Sequence, residues 1–251
     1  MIVERLYRKI LKRNLLQVPR YKKGLTKLAG AKTLFVDSLS FLFMYREIFD
    51  NNVYQFVPSR LNPVIIDCGA NIGLSLIYFK RIFPQAKIVA FEPDKDIFNV
   101  LQYNITESHQ LSDIHLVNAA LWVHENGINF KSEGADAGRI IENENNYIVP
   151  TCKLSNYLEE EVDFLKIDIE GAEYEVLKEC GDKLRNVEQM FIEYHSFENK
   201  PQQLSQILDL LTRQNFRYYL TMPGLKSANP LIKLNKYAGM DMQVNIYAKR
   251  I

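Results

Sequence analysis

The sequence predicts an α/β fold: one doubly wound, mostly parallel sheet with helices on both faces. Short β-branched or apolar runs, such as Val64-Ile65-Ile66, recur and end at an acid followed by glycine. Unbroken apolar runs of this kind suit strands buried on both faces. Between them lie stretches whose apolar residues repeat at helical spacing. Strand–helix–strand alternation with right-handed crossovers then sets the strands side by side and covers both faces of the sheet.

The 251 residues suffice for one domain with an accessory segment. A net charge of +1 leaves no compositional footprint for nucleic acid, so none is expected as a partner. Cys68, Cys152 and Cys180 show no metal-ligand or CxxC spacing, which fits a reducing compartment. No apolar run reaches transmembrane length and no signal-peptide core is visible, so the expectation is a soluble, cytoplasmic protein.

Residues 1–23 are basic and modestly amphipathic, with Val3, Leu6 and Ile10 on one side and Arg5, Arg8, Lys9, Lys12 and Arg13 around them. The stretch suits a solvated helix packed on the domain or, less well given its narrow apolar stripe, a membrane-surface or partner-binding helix. Residues 34–57 are crowded with aromatic side chains. Asp37 or Ser38 is placed to cap a helix running to about Asp50, and residues 53–57 alternate like a short strand. This segment is expected to cover the sheet or the ligand site.

The first core strand runs from Val64 into the turn Asp67-Cys68-Gly69-Ala70-Asn71-Ile72-Gly73. Its glycines allow a sharp turn, and a helix starting at Ile72, with Leu76, Phe79 and Phe83, continues to Pro84. The next strand, Lys87–Phe91, ends in Glu92-Pro93-Asp94; Asp96 then caps a helix burying Ile97, Phe98, Leu101 and Ile105. A third strand at Ile114–Val117 opens into Asn118-Ala119-Ala120. Residues 124–150 break the rhythm, with Gly127, Gly134 and Gly138 between short extended pieces, and read as a β-hairpin or loop insertion. The alternation resumes with a strand at 164–169 ending in Glu170-Gly171 and a helix burying Val176, Leu177 and Cys180. Strand 190–192 ends in Glu193-Tyr194-His195, and a helix with Leu204, Ile207, Leu208 and Leu211 follows. Strands at Phe216–Thr221 and 244–248 close the chain. Residues 1–60 are thus read as an N-terminal helical extension and cover, and 61–251 as the sheet domain.

A strand, glycine turn and helix together form a nucleotide-type cofactor site. A dinucleotide dehydrogenase needs G-x-G-x-x-G, whose middle glycine lets the backbone approach a pyrophosphate. Here the turn reads G-x-N-x-G, with Asp67 just ahead, where negative charge opposes a pyrophosphate. The acid better suits a sulfonium and an α-ammonium. S-adenosylmethionine has both, with a carboxylate for the helix N-terminus and a ribose diol for Glu92, which follows the turn by about 20 residues.

The stretches VIIDCGANIG, FEPD, NAAL, FLKIDIEGAE and FIEYH, in this order, resemble the FkbM family of S-adenosylmethionine-dependent methyltransferases from about Asp37 onward. The resemblance implies a Rossmann-like class I methyltransferase sheet for residues 61–251. It further implies O-methylation of a small-molecule or glycan hydroxyl, on a sugar, glycan or natural product. Carried over, Asp67, Gly69, Ala70, Asn71 and Gly73 would surround the methionine part of the cofactor and Glu92 would take the ribose hydroxyls. Pro93 and the stretch from Asn118 to Ala120 would lie by the adenine, and Asp168 would face the sulfonium.

Methyl transfer is an in-line displacement in which the protein mainly aligns the partners, and a positioned base contributes about 10²–10⁴-fold. Asp168, Glu170, Glu193 and His195 stand at strand ends, where open α/β sheets bind ligands. His195 titrates near neutrality and shares its side of the strand with Glu193; a Glu–His base pair and a merely structural strand-end histidine are both open. Glu170 is open between base and helix cap. His109, His115 and His124 read as structural or exposed. The four strand-end residues also suit an oxygen-rich cation site, but no tight ligand cluster supports one and no metal is expected. The rival readings are a nicotinamide-dependent oxidoreductase, disfavoured by Asn71 and Asp67, and a non-catalytic cofactor-binding module.

Overall fold

The computed structural model describes residues 11–132, 138–140, 147–224 and 227–251. Of the N-terminal stretch, residues 11–15 form a helical turn that buries Leu11 and Leu15 in the core, while Val3, Leu6 and Ile10 lie outside the described residues. A hairpin absent from the expectation follows, β1 (Gly24–Leu28) and β2 (Ala31–Phe35). Both turn residues, Ala29 and Gly30, have positive φ (46° and 92°). Hairpins normally mark such a turn with Asn-Gly or Asp-Gly, so Ala29 conceals it.

Helix α1 (Ser38–Tyr45) is capped by Asp37, whose Oδ2 accepts from Ser40 N at 3.0 Å, and continues as a π-helical turn to Asp50. The short strand expected at residues 53–57 does not form. The segment leaves a turn at Val53 and Tyr54 and runs on without strand pairing, and its alternation comes from lying across the sheet face. Tyr54 meets Phe191 edge-on (4.9 Å between centroids) and Phe56 stacks on Phe164 (4.5 Å).

The remaining elements are β3 (Val64–Cys68), α2 (Leu74–Ile82), β4 (Lys87–Phe91), α3 (Lys95–Gln102), β5 (Ile114–Val117) and β6 (Ala120–Leu121). After them come β7 (Ile128–Ser132), β8 (Gly138–Ile140), β9 (Tyr147–Val149), β10 (Thr151–Cys152), β11 (Val162–Ile167) and α4 (Glu173–Cys180). The chain ends with β12 (Val187–Phe197), α5 (Leu204–Arg213), β13 (Phe216–Thr221) and β14 (Met240–Arg250). The central sheet has the order β13-β14-β12-β11-β3-β4-β5, and every neighbouring pair is parallel except those made by β14. From β3 the chain winds outward through β4 and β5, then returns to β11 on the other side of β3. The crevice at that reversal is where open α/β sheets bind ligands. Strands β7, β8 and β9 form a separate three-stranded antiparallel sheet in the order β8-β7-β9; Gly134 lies outside the described residues.

Four local expectations change. Asp94, not Asp96, caps α3, its Oδ1 accepting from the N–H groups of Asp96 (2.9 Å) and Ile97 (3.1 Å); of the two closely spaced acids, the one ahead of the helix does the capping. Helix α2 opens at Leu74 behind Gly73, because Ile72 still belongs to the turn. Glu170 does not cap α4: Ala172 holds that position, and Glu170 sits in the preceding turn at φ 53°. Glu193 and His195 lie inside β12 rather than past its end, since antiparallel pairing with β14 prolongs the strand to Phe197.

Candidate active site

The turn after β3 satisfies its own amides. Gly69 N and Ala70 N donate to Phe91 O (3.1 and 2.8 Å), and Gly73 N donates to Ala70 O (2.9 Å). Asn71 N donates to Glu92 Oε2 (3.0 Å), and Ile72 N to the Asn71 side-chain Oδ1 (2.7 Å). Asn71 stands at φ 50°, a left-handed conformation that asparagine tolerates and its own side-chain bond secures. Gly69, at φ 92°, is fixed by proximity as well, because a Cβ there would lie 1.9 Å from the Asp168 carbonyl oxygen.

Beneath the turn, Lys166 reaches Asp67 Oδ1 (3.0 Å), Asp168 Oδ2 (3.3 Å) and the Gly69 carbonyl (2.7 Å). Burial alone would lower the Lys166 pKa, but Asp67, Tyr54 and Asp168 outweigh it and hold the ammonium well above its ordinary range. Asp67 is fully buried and also accepts from Ser75 Oγ. Its charge is therefore balanced within the protein, and it braces the turn from below instead of facing a ligand.

The crevice is a cavity of about 540 Å³, within the usual range for small-molecule sites. Gly69, Ala70, Asn71, Glu92 and Pro93 line one part, with Ala120 beside them; Asp168, Glu170, Glu193 and His195 line another. Asp67, Gly73 and Asn118 lie behind the wall. Asn118 uses its amide to hold the carbonyls of Glu92 (2.8 Å) and Pro93 (3.1 Å), bracing the end of β4. Leu39, Phe43, Met44 and Glu47 roof the cavity from α1 and the π-turn that follows it.

Glu92 accepts from Asn71 N and Asp94 N, yet burial still pushes its carboxyl up to about 8. His195 is buried, with Nδ1 3.0 Å from Glu173 Oε1 and Nε2 3.6 Å from Glu193 Oε1 and 3.9 Å from Glu170 Oε2. Burial opposes its charge, but Glu170, Glu173 and Glu193 together raise the imidazole well above its ordinary value. Glu170 is pushed up to about 8 by burial, with His195 pulling the other way. The cluster therefore favours the charged imidazole of His195, while burial favours the neutral carboxyl of Glu170. Asp168, Glu193 and His195 also bring one ligand atom each within 4.8 Å of one another, the spacing of a cation site.

Two contributors escaped the sequence reading. Glu173, the last residue of the DIEGAE stretch, holds His195 at Nδ1 while the expected partner Glu193 faces Nε2, and Glu173 also accepts from Gly171 N at 2.9 Å. Lys166 is a lysine inside a fully buried central strand, which is itself the signal of a buried ion pair.

A doubly wound sheet with one reversed strand, a glycine turn after its first core strand and a buried acid closing the next define an α/β methyltransferase of class I. More specifically, the chain belongs to the FkbM methyltransferase family: residues 67–218 match the Methyltransferase FkbM domain. It is 32% identical over 187 residues to Methyltransferase sdnD of Sordaria araneosa, covering 58% of this chain and 72% of that one. It is 35% identical over 77 residues to the 31-O-demethyl-FK506 methyltransferase FkbM of Streptomyces tacrolimicus, 30% of each chain. Its fold is similar to that of Methyltransferase FkbM from Methylobacillus flagellatus KT, at a TM-score of 0.50 and 17% identity over 98% of this chain and 60% of that one.

Proposed function

We propose that the protein is an S-adenosylmethionine-dependent O-methyltransferase acting on a hydroxyl of a sugar, glycan or natural product. The observation that carries the cofactor reading is the self-satisfied turn. With the amides of residues 69–73 bonded internally, a pyrophosphate would find no donors there, which argues against a nicotinamide dinucleotide. The first helical bond of α2 runs from Ile77 N to Gly73 O, so the amides of Leu74 and Ser75, residues that line the cavity, have no partner within the helix and suit a carboxylate. The acid-rich far wall suits a cation.

S-adenosylmethionine supplies the electrophilic methyl group on its sulfonium. In this reading Glu92 receives the ribose hydroxyls on lone pairs left by its two backbone bonds, and Asp168 with Glu193 offers negative charge on the sulfonium side. His195, oriented by Glu173, takes the proton of the acceptor hydroxyl once it has lost its own. The O-methyl assignment draws support from the Streptomyces relative, named for 31-O-demethyl-FK506. Calorimetric titration with S-adenosylhomocysteine and with NAD, followed by transfer of a radiolabelled methyl group to a panel of hydroxyl acceptors, tests the proposal. Binding of NAD without affinity for S-adenosylhomocysteine would falsify it.

A further inference from the structure

Charge is distributed unevenly along this nearly neutral chain. Residues 5–36 contain no Asp or Glu, and neither do residues 210–240; the two stretches hold 15 of the 31 Lys and Arg residues. Both meet at one place, the mouth of the cavity. Arg20 from the first stretch lines the opening with Pro223, Gly224 and Tyr237 from the second, and Tyr237 is within hydrogen-bonding reach of the Arg20 guanidinium. On the described part of the first stretch Lys12, Arg13, Lys22, Lys23, Lys27 and Lys32 are exposed, as is Lys233 on the second; Arg20 is paired with Asp37 (2.8 Å) and Lys236 with Glu198, so the exposed lysines carry the positive charge.

The second stretch and the roof helix carry aliphatic and aromatic side chains that the other described residues leave exposed. Leu231 and Ile232 are adjacent and 102% and 85% exposed, on the loop that leads to the Tyr237 edge of the mouth. Leu39 and Phe43, on the roof helix α1, are also open to solvent at 40% and 45%. Single exposed apolar residues are ordinary on soluble proteins, but a fully exposed aliphatic pair within a stretch of sequence that carries lysines and no acid is a different pattern. Basic residues beside aliphatic ones that lack a protein partner match the headgroup and acyl boundary of a lipid surface. No helix among the described residues is long and apolar enough to cross a membrane.

We propose that the mouth of the cavity docks on an anionic lipid bilayer. Leu231 and Ile232 insert at the boundary, the surrounding Lys and Arg side chains meet the acidic headgroups, and the opening faces the membrane. A nucleic acid would answer the positive charge equally well and would find the exposed rings of Tyr21 and Tyr237, but the most exposed apolar side chains, Leu231 and Ile232, offer no stacking surface to bases, which favours the lipid.

The test is co-sedimentation of the full chain with vesicles of phosphatidylcholine alone and of phosphatidylcholine mixed with phosphatidylglycerol. Binding to the mixed vesicles and not to the neutral ones is expected, weakening as salt is raised. The Leu231→Ser/Ile232→Ser variant should partition about tenfold less or worse. Lys233→Gln should lose about fivefold. All three positions are exposed, so unfolding midpoints should equal the parent's. Absence of binding to the mixed vesicles at low salt overturns the proposal. So does binding that survives the double serine substitution while polyuridylate displaces the protein from vesicles, which would assign the rim to nucleic acid. The vesicle readout does not depend on methyl transfer, so its failure is separable from failure of the catalytic reading.

Discussion

Glu92 is the residue through which cofactor binding should report on proton traffic. Burial holds its carboxyl at about 8, against the downward pull of hydrogen bonds from Asp94 N and Asn71 N and of the Lys166 charge. The empty site at about pH 7 is then roughly nine-tenths protonated at this position. Two ribose hydroxyls donate best to a carboxylate, so binding selects the ionised form and releases the proton. The sign follows: affinity rises with pH through about 8 and levels off above it. The ionised fraction grows about tenfold between pH ~7 and pH ~9, which corresponds to ~1.4 kcal/mol of binding free energy. S-adenosylhomocysteine is the right titrant because it lacks the sulfonium charge that would also disturb Glu170, likewise held near 8, and His195. Calorimetry across this range, in two buffers of different ionisation enthalpy, counts the protons. The parent should release close to one near pH 7. Glu92→Gln should release none and, at the alkaline end, bind ~1.5–3 kcal/mol more weakly, the scale for hydrogen bonds to a charged group. A parent affinity that does not change with pH, or a Gln variant releasing the same proton, would refute the ribose assignment.

The acid cluster makes a second prediction. If His195 accepts the substrate proton, turnover rises with pH along a limb above the ordinary imidazole value. Glu173→Gln should move that limb to lower pH by removing one of three carboxylates that favour the charged ring, and His195→Ala should cut kcat by about 10²–10⁴ with little effect on cofactor affinity. A limb that stays in place in the Glu173 variant excludes this base. Lys166→Met leaves Asp67 buried without its cation and should cost about 3–5 kcal/mol in urea unfolding; adding Asp67→Asn should recover most of it. Gly69→Ala should lose at least ~3 kcal/mol of stability through collision with the Asp168 carbonyl, whereas Gly30→Ala, at the same φ with nothing within 4 Å, should lose about 1 kcal/mol. Equal losses at the two glycines would mean that backbone conformation, not the close approach, governs Gly69.

The sheet was legible because its inner strands are largely buried and appear as short apolar runs, as at β3, β4 and β11, while the edge strands β5 and β13, more exposed, still fall where their β-branched and aromatic residues predict. Periodicity misled where the chain is irregular and unpaired, as at Tyr54 and Phe56, whose alternation records contact with Phe191 and Phe164. It was silent at the β1–β2 turn, where Ala29 occupies a position usually held by Asn or Asp. Within the site, sequence spacing brought Gly69, Asn71, Glu92 and His195 to one region, but it could not tell a wall residue from a brace. Asp67 and Asn118 carry polar side chains at the right strand ends and use them on Lys166 and on backbone carbonyls. Glu173 was hidden for the opposite reason. A glutamate in the first turn of a helix has an ordinary explanation in the helix dipole, and only the packing of α4 against β12 reveals that it holds an imidazole.

The reversed strand β14 has a consequence for the order in which the protein comes into being. During synthesis the turn at residues 67–73 and its partner Glu92 emerge early and can close on each other, since β3 and β4 are neighbours in chain and in space. Glu193 and His195 emerge later on β12, and one edge of that strand is completed only by residues 240–250, with Gln243 donating to Glu193 across the pair. A nascent chain thus owns the glycine-turn half of its cavity well before the acid–histidine half. Until β14 leaves the ribosome, β12 presents a long unpaired edge, the most aggregation-prone interval in the life of this fold.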